Sequence, residues 1–548
     1  MKSANLGWGQ RYMWLRFHQL PPRHQRETHV VLRFDLPAGL TVAACRAMLT
    51  YLVRRHEILR TTFELGPEPA QRVHPAAPLP VTVATTERDG TAAPADVVEE
   101  LTGRPFDLAA EWPIRACLIT SGGVPRHCVL VFNHLAVDVW TLGEIKRELR
   151  AQSAGAAARR PAALLPVRRQ PADLARYEAS ADAAILASRA MAYWQDEVAG
   201  LPADPFAARR GANGSEPPAR HATLVSPAML GASRRLAGRH GVWPSLVHVA
   251  AYTAMMAAYT GRDSVAHLAF VSNRGSHPCP DVLTCMFSPM LVRVGCAGDP
   301  SFGELLRRVA GAYERAGEHA YVPYDKVVEM VSREGSLRGT AVRLGSEINF
   351  IKQRTKEYGG RRTAFTWKPV PVAWAHHGSD TYLRVDEWRD AVAVALHAAS
   401  PVMDAVAVER FLRGMEALVL AHDDPATDLP LSEAARLAGF EPPRGAPAAA
   451  PIEVWDGEAG PRRPRAGRRR AAGARPRRPR AVRQLHPRRR SGPAHPAGAG
   501  RAHQARLGGP DPQPARRSCA AGRAGLPAGP KPADRPCPEP REFGVTPS

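Results

Sequence analysis

The spacing of apolar residues along this chain changes period several times, and each change marks an element. His127 to Phe132 is a short apolar run, rich in β-branched and aromatic residues, that predicts a buried strand. The run stops at Asn133-His134, and a helix is predicted a few residues later. Thr141 and Glu144 are spaced as its capping box, with Trp140 and Ile145 as the hydrophobic staple. Earlier, His29 to Phe34 alternates with the period of two expected of a strand. Thr41 then precedes Val42, Cys45, Met48, Leu49, Leu52 and Val53, which recur at helical spacing and predict a Thr-capped helix. The helix runs into Arg54 to Phe63, which reads locally as a helix end entering a strand, with exposed charge.

Ala151 to Asp173 is dense in Ala, Arg and Pro with little periodicity and predicts a surface linker. A helix resumes over Ile185 to Leu201. Ser226-Pro227 is a cap followed by Pro at the first helical position. Val242 to Thr260 is apolar or small on most sides, as a buried helix must be, and Gly261 closes it. Ser264 to Ser272 predicts a strand that ends at Asn273-Arg274. Phe411, Leu412, Met415 and Leu418 are spaced as the packing stripe of a helix. The expected units are residues 1–175 and 176–435, followed by a tail.

The tail changes character. Residues 443–548 are Arg, Pro, Ala and Gly with almost no aromatic or β-branched residues, too little apolar surface to offset ordering, so disorder is expected. From Pro461 onward there are 21 Arg and 1 Lys against four acids, or +18 of the chain's net +22, which leaves +4 for the first 460 residues. The basicity therefore belongs to the tail. Those residue types come from GC-rich codon boxes, so a shifted reading frame near residue 455 is one reading; a cationic tail with sequence-blind affinity for nucleic acid is the other. No specific nucleic-acid module accompanies it, and interleaved aromatics are missing.

The 548 residues allow two to four domains. The eight cysteines show no C-x-x-C and no metal-ligand spacing, which argues against zinc or a disulfide framework and fits a reducing compartment. No signal-type segment or apolar run of eighteen residues is present, so a cytoplasmic protein without membrane contact is expected.

Candidate chemistry centres on His134. A lone histidine beside a strand is more often a packed rim residue than a catalyst, so spacing alone does not assign it. Asn133-His134-Leu135-Ala136-Val137-Asp138-Val139, however, resembles the His-His-x-x-x-Asp-Gly motif of the condensation domains of nonribosomal peptide synthetases. Asn133 replaces the first His and Val139 the Gly; Trp140 follows, as is common there. The resemblance extends in order through Gln10 and Trp14, Arg55-His56-Glu57-Ile58-Leu59-Arg60-Thr61-Thr62-Phe63, Pro105-Phe106-Asp107-Leu108, Pro113-Ile114-Arg115-Ala116, His319 with Pro323-Tyr324 and Val327, Asn349-Phe350, and Leu383 to Leu418, which resembles the family's closing strand and helix, covering roughly residues 5–430. One departure falls at Met286-Phe287-Ser288-Pro289, where many members carry Phe-x-Asn-Thr.

The resemblance implies an α/β (α+β) fold of two chloramphenicol acetyltransferase-like lobes in a V-shaped pseudo-dimer. It implies acyl transfer from a carrier-bound thioester to an amine or hydroxyl, with His134 as base or positioner. It also implies an Asp138–Arg274 ion pair that holds the loop, with Asn133, Val139 and Trp140 as further support. Should the loop need φ > 0 at Val139, a β-branched residue there is strained. The oxyanion donors would be backbone N–H groups around Asp138–Trp140. No tightly bound cofactor or metal is expected. The implied partners are donor and acceptor carrier proteins, engaged through their phosphopantetheine arms; the chain shows no recognisable adenylation or carrier-arm segment, so they are expected to act in trans on a monomer, unless the rest of a synthetase was lost at the frame break. Two alternatives stay open: a stand-alone coenzyme A-dependent acyltransferase of the same superfamily, and a non-catalytic docking or scaffold relative.

Overall fold

The computed structural model describes residues 2–64, 66, 68–86, 95–211, 217–275, 277–353, 356–371, 379–441 and 443. Apart from Pro443, the basic tail and the disorder expected of it lie outside the described residues.

The first part of the chain forms β1 (Lys2–Asn5), α1 (Trp8–Gln19), β2 (His29–Asp35), α2 (Val42–Arg55), β3 (Thr61–Glu64), β4 (Ala70–Val73), β5 (Val81–Thr85), α3 (Ala95–Thr102), β6 (Ile114–Ser121), β7 (Val124–Asn133) and α4 (Val139–Ala157). Its main sheet has the order β2-β7-β6-β5, antiparallel except for the β5/β6 pair. The apolar run foreseen at His127 to Phe132 is the buried interior of β7, flanked on both sides by partner strands. The last residue of β7, Asn133, lies opposite His29 of β2. His134 is therefore the first residue beyond the sheet. On α2 the Thr41 hydroxyl accepts from the Ala44 N–H at 3.1 Å, and Cys45, Met48, Leu49, Leu52 and Val53 are buried.

The rest forms α5 (Pro171–Glu178), α6 (Ala181–Ala199), β8 (Ala219–Ser226), α7 (Pro227–His240), α8 (Pro244–Thr260), β9 (Ser264–Val271), β10 (Ser288–Gly295), α9 (Phe302–Glu318), α10 (Tyr324–Arg338), β11 (Ser346–Gln353), β12 (Ala364–Trp367), β13 (Thr381–Trp388), β14 (Val392–Ala399), α11 (Ala405–Ala421) and α12 (Leu431–Ala438). Seven strands make one sheet in the order β10-β9-β11-β13-β14-β8-β12. α8 is buried almost all round, and Gly261 closes it with φ +67°, a backbone conformation in which glycine carries no Cβ penalty. β9 and β10 are antiparallel, with Val271 opposite Ser288. The exit of β9 at Asn273-Arg274 and the approach to β10 at Met286-Phe287 thus share one end of this sheet.

Beside a small β1-β4-β3 sheet, the two larger sheets each carry a large apolar core. The core around β2, β6, β7 and α2 also takes in Leu283, Cys285 and Phe287, so the approach to β10 packs into it. The other is built around α7, α8, α11 and the seven-stranded sheet.

Three local readings need correction. The linker is shorter than expected, because α4 continues to Ala157 and α5 begins at Pro171. Ala-rich sequence is a strong helix former even without an apolar stripe. The closing strand is two antiparallel strands, β13 and β14, on either side of Arg389 to Ala391. Finally, the charge in Arg54 to Phe63 is not all exposed. His56 and Glu57 are buried, with His56 Nε2 2.9 Å from Glu148 Oε2, and Lys2 Nζ donating to Glu57 Oε1 at 2.9 Å.

Candidate active site

His134 sits in a tight turn between β7 and α4. The Asn133 carbonyl accepts from the Ala136 N–H at 3.0 Å, and the Asn133 Oδ1 accepts from the Leu135 N–H at 3.0 Å. Leu135, Ala136 and Val137 are completely buried, so the turn is anchored by packing as well. Asn133 thus does backbone work, shaping the turn that carries His134.

The helix begins earlier than the expected capping box required. Asp138 is the N-cap: its Oδ1 accepts from the Thr141 N–H at 2.7 Å. The carboxylate of an Asp suits the positive end of a helix and satisfies one of its orphan donors. Val139 is then the first helical residue and is not among the residues with positive φ. The strain that a β-branched side chain could have imposed there is absent. Thr141 is not a cap. Its hydroxyl donates to the Thr284 carbonyl at 2.8 Å and accepts from Arg274 Nη2 at 3.3 Å. Glu144 pairs with Arg147 on the surface.

Asp138 and Arg274 meet, with Arg274 Nη2 donating to Asp138 Oδ2 at 2.9 Å. Both side chains are almost wholly shut off from solvent, a costly arrangement unless the remaining donors and lone pairs are used. Most of them are. Arg274 Nη1 donates to the carbonyls of Val282 (2.7 Å) and Pro280 (3.1 Å), and Nη2 to that of Thr284 (2.9 Å). The same oxygen, Asp138 Oδ2, also accepts from the Met286 N–H at 3.0 Å. The Trp140 ring lies 4.0 Å below the guanidinium carbon, a cation–π contact. With Asp138 as the cap, Trp140 is the second helical residue, and its ring holds Arg274.

Asn273, next to Arg274, is one of three non-glycine residues with positive φ among those described (+55°). Asn tolerates this conformation better than most residues. Its Nδ2 donates to the Met286 carbonyl (2.9 Å) and to Ser288 Oγ (2.7 Å), which ties the two ends of the 273–288 loop together. Thr141, Asn273, Thr284 and Met286 are thus members of the clamp that the sequence reading did not assign. Apart from the Asn at a strand exit, local sequence carried no signal for them, since their partners lie up to 148 residues away.

The His134 imidazole is buried, and neither ring nitrogen has a well-formed hydrogen-bond partner. Burial holds its pKa below the ordinary histidine value of 6.5. The carbonyls of His134 and Val137, and Asp138, pull weakly the other way. The ring is therefore neutral near pH 7, with a lone pair free to accept a proton. The Phe287 ring packs on it, with centroids 5.2 Å apart. The first amides of α4, at Val139 and Trp140, have no intrahelical partner and form a positive helix end beside the turn. Among the described residues, no group of three or more His, Cys, Asp or Glu is placed to hold a metal ion, and no helix is long and apolar enough to cross a membrane.

A family model described as Condensation domain matches residues 7–372. The chain belongs to the condensation-domain family. Its curated relatives are nonribosomal peptide synthetases. It is 32% identical over 317 residues to the probable non-canonical nonribosomal peptide synthetase CymA of Salinispora arenicola, covering 56% of this chain and 4% of that protein. It is 27% identical over 340 residues to the phosphinothricin tripeptide synthetase PhsC of Streptomyces viridochromogenes, covering 61% of this chain and 31% of that protein. The condensation domain thus spans a small share of the synthetases it matches.

Among solved structures, the condensation domain from the Monacolin K polyketide synthase MokA is similar with a TM-score of 0.61 and 18% identity, over 79% of this chain and 99% of that one. The X-domain from teicoplanin biosynthesis is similar with a TM-score of 0.58 and 19% identity, over 78% of this chain and 97% of that one. At such identities the likeness is one of fold, the mixed helix-and-sheet chloramphenicol acetyltransferase type.

Proposed function

We propose that this condensation domain is an acyltransferase that joins a carrier-bound acyl or aminoacyl thioester to an acceptor amine or hydroxyl during nonribosomal peptide biosynthesis. The observation that carries the reading is the neutral, unpartnered His134 imidazole on a turn clamped by the Asp138–Arg274 pair. For an amine acceptor, the nitrogen attacks the thioester carbonyl, a C–N bond forms, and the C–S bond breaks. The proton leaves the amine and the thiolate takes one up. A free α-ammonium has a pKa of about 7.7–8.0, so a neutral imidazole accepts its proton at modest cost. In this reading the Val139 and Trp140 amides at the start of α4 donate to the oxyanion. The side chains of Asp138, Arg274, Asn133, Val139 and Trp140 position the turn, and His134 is the side chain that meets the reacting atoms.

In this reading the donor and acceptor arrive on the phosphopantetheine arms of two carrier proteins, supplied in trans to a cytoplasmic monomer. No tightly bound cofactor takes part. The arms would enter between lobes formed by residues 1–175 and 176–435, arranged as a V.

The test is the metabolite profile of the source organism with a chromosomal His134→Ala substitution, set against wild type and full deletion. General-base or positioning roles are worth roughly 10²–10⁴ in rate. Loss of one acylated or peptidic product at unchanged protein level is expected. A product that survives His134→Ala but disappears on deletion overturns the catalytic reading in favour of a docking role.

A further inference from the structure

The His134 ring nitrogens are shut off from solvent, so something must move before a substrate atom reaches either of them. The turn itself is held by Asp138 and Arg274. The backbone around Phe287 is equally fixed. The Met286 N–H donates to Asp138, the Met286 carbonyl accepts from Asn273, and Ser288 Oγ donates to the Ala320 carbonyl at 3.0 Å. A residue pinned on both sides retains one freedom, rotation of its side chain. The Phe287 ring is the aromatic group that packs on the imidazole. Tyr12 meets it edge-on at 5.6 Å and Phe270 edge-on at 5.9 Å, and Tyr12 is braced in turn by Tyr324 at 5.0 Å.

We infer that Phe287 is a specificity-determining residue: its ring covers His134, and the room opened when it turns aside sets the width of the group that can reach the imidazole. This rests on His134 being the group that meets substrate. The aromatic surroundings allow few alternative positions for the ring. Groups that are flat or narrow beside the reacting carbonyl or amine should pass, and bulky branched ones should be refused.

Access can be measured without turnover, by competitive labelling of the full chain with diethyl pyrocarbonate at pH 7 and peptide mass spectrometry. Exposed His18 and His240 serve as fast references and buried His248 and His267 as slow ones. In the wild type His134 should label more slowly than His18. Phe287→Ala should accelerate its labelling by roughly tenfold or more, as expected when a local opening step is removed, with His248 and His267 unchanged. If Phe287→Ala loosens the whole fold, His248 and His267 will accelerate together with His134, and Phe287→Leu then decides by the same ratio. A His134 rate that matches His18 in the wild type, or stays unchanged in a folded Phe287 variant, overturns the cover.

The product series in the source organism is the second arm. Phe287→Ala should add congeners with bulkier acyl or acceptor groups, and an unchanged series overturns the specificity role. Because labelling reports access alone, it remains readable even if His134→Ala leaves the product untouched.

Discussion

His134 and His248 are both deeply buried, both pushed toward the neutral form by burial, and both leave two ring nitrogens without partners. Their settings differ. His248 lies within α8, faced by the Phe350 ring at 6.3 Å, and burial is the sole cause of a pKa lowered to about 4. His134 stands at the mouth of a strand, beside a helix N-terminus, on a turn whose far end is an N-cap and a buried ion pair at once. Burial supplies a neutral imidazole at either place. The clamp and the helix end at His134 are what give such a ring a fixed geometry and donors to work with.

The largest effect should come from breaking the clamp. Asp138→Ala strands the Arg274 guanidinium in a dry site and removes a helix cap, at an expected cost of ~3–5 kcal/mol in denaturant unfolding. Arg274→Ala should cost a similar amount. The double variant should lose clearly less than the sum of the two, and strict additivity would show that the pair does not act as a unit.

A smaller effect follows from pH. The pKa of His248 is lowered to about 4 and that of His267 to about 3, both mainly or wholly by burial, against about 6.5 in the unfolded chain. Below pH 6.5 the unfolded chain takes up protons that the folded one refuses. The contribution of these histidines is therefore complete above 6.5 and drains away as pH falls toward 4 and 3. Each should steepen the loss by up to ~1.4 kcal/mol per pH unit. Carboxylates lose stability in the same direction, so the informative comparison is His248→Leu with wild type between pH 7 and 5. A flatter slope in the variant is expected; equal slopes would mean His248 does not titrate as its burial requires.

The smallest effect separates the two histidines most cleanly. At pH 7, His248→Leu replaces an unpartnered polar ring with an apolar side chain in an apolar core. Stability should change by no more than ~1–2 kcal/mol. A loss well beyond that would reveal hydrogen-bonding work at His248 and undo the contrast with His134.

Much of this arrangement was legible from local pattern. The β7 run, the Thr41 and Ser226 caps and the glycine that ends α8 each depend on neighbours a few residues away, and each formed where its pattern placed it. The Asp138–Arg274 pair was reachable because a motif linked residues 136 apart. Thr141 was misread because its spacing to Glu144 fits a capping box, whereas Asp138 reaches the same helix end first and Thr141 is drawn to Thr284. His56 and Glu57 looked exposed because Glu148 and Lys2, which pair with them, are brought there only by tertiary folding. Phe287 fell in a segment that departs from the family pattern, and its contact with His134 has no local trace.

The most direct measurement is product formation in the source organism carrying His134→Gln, side by side with one carrying His248→Leu, at matched protein levels. Product should vanish in the first and persist in the second. Persistence of product in His134→Gln would contradict the account, because a buried neutral histidine would then be no more at the clamped turn than it is in the core.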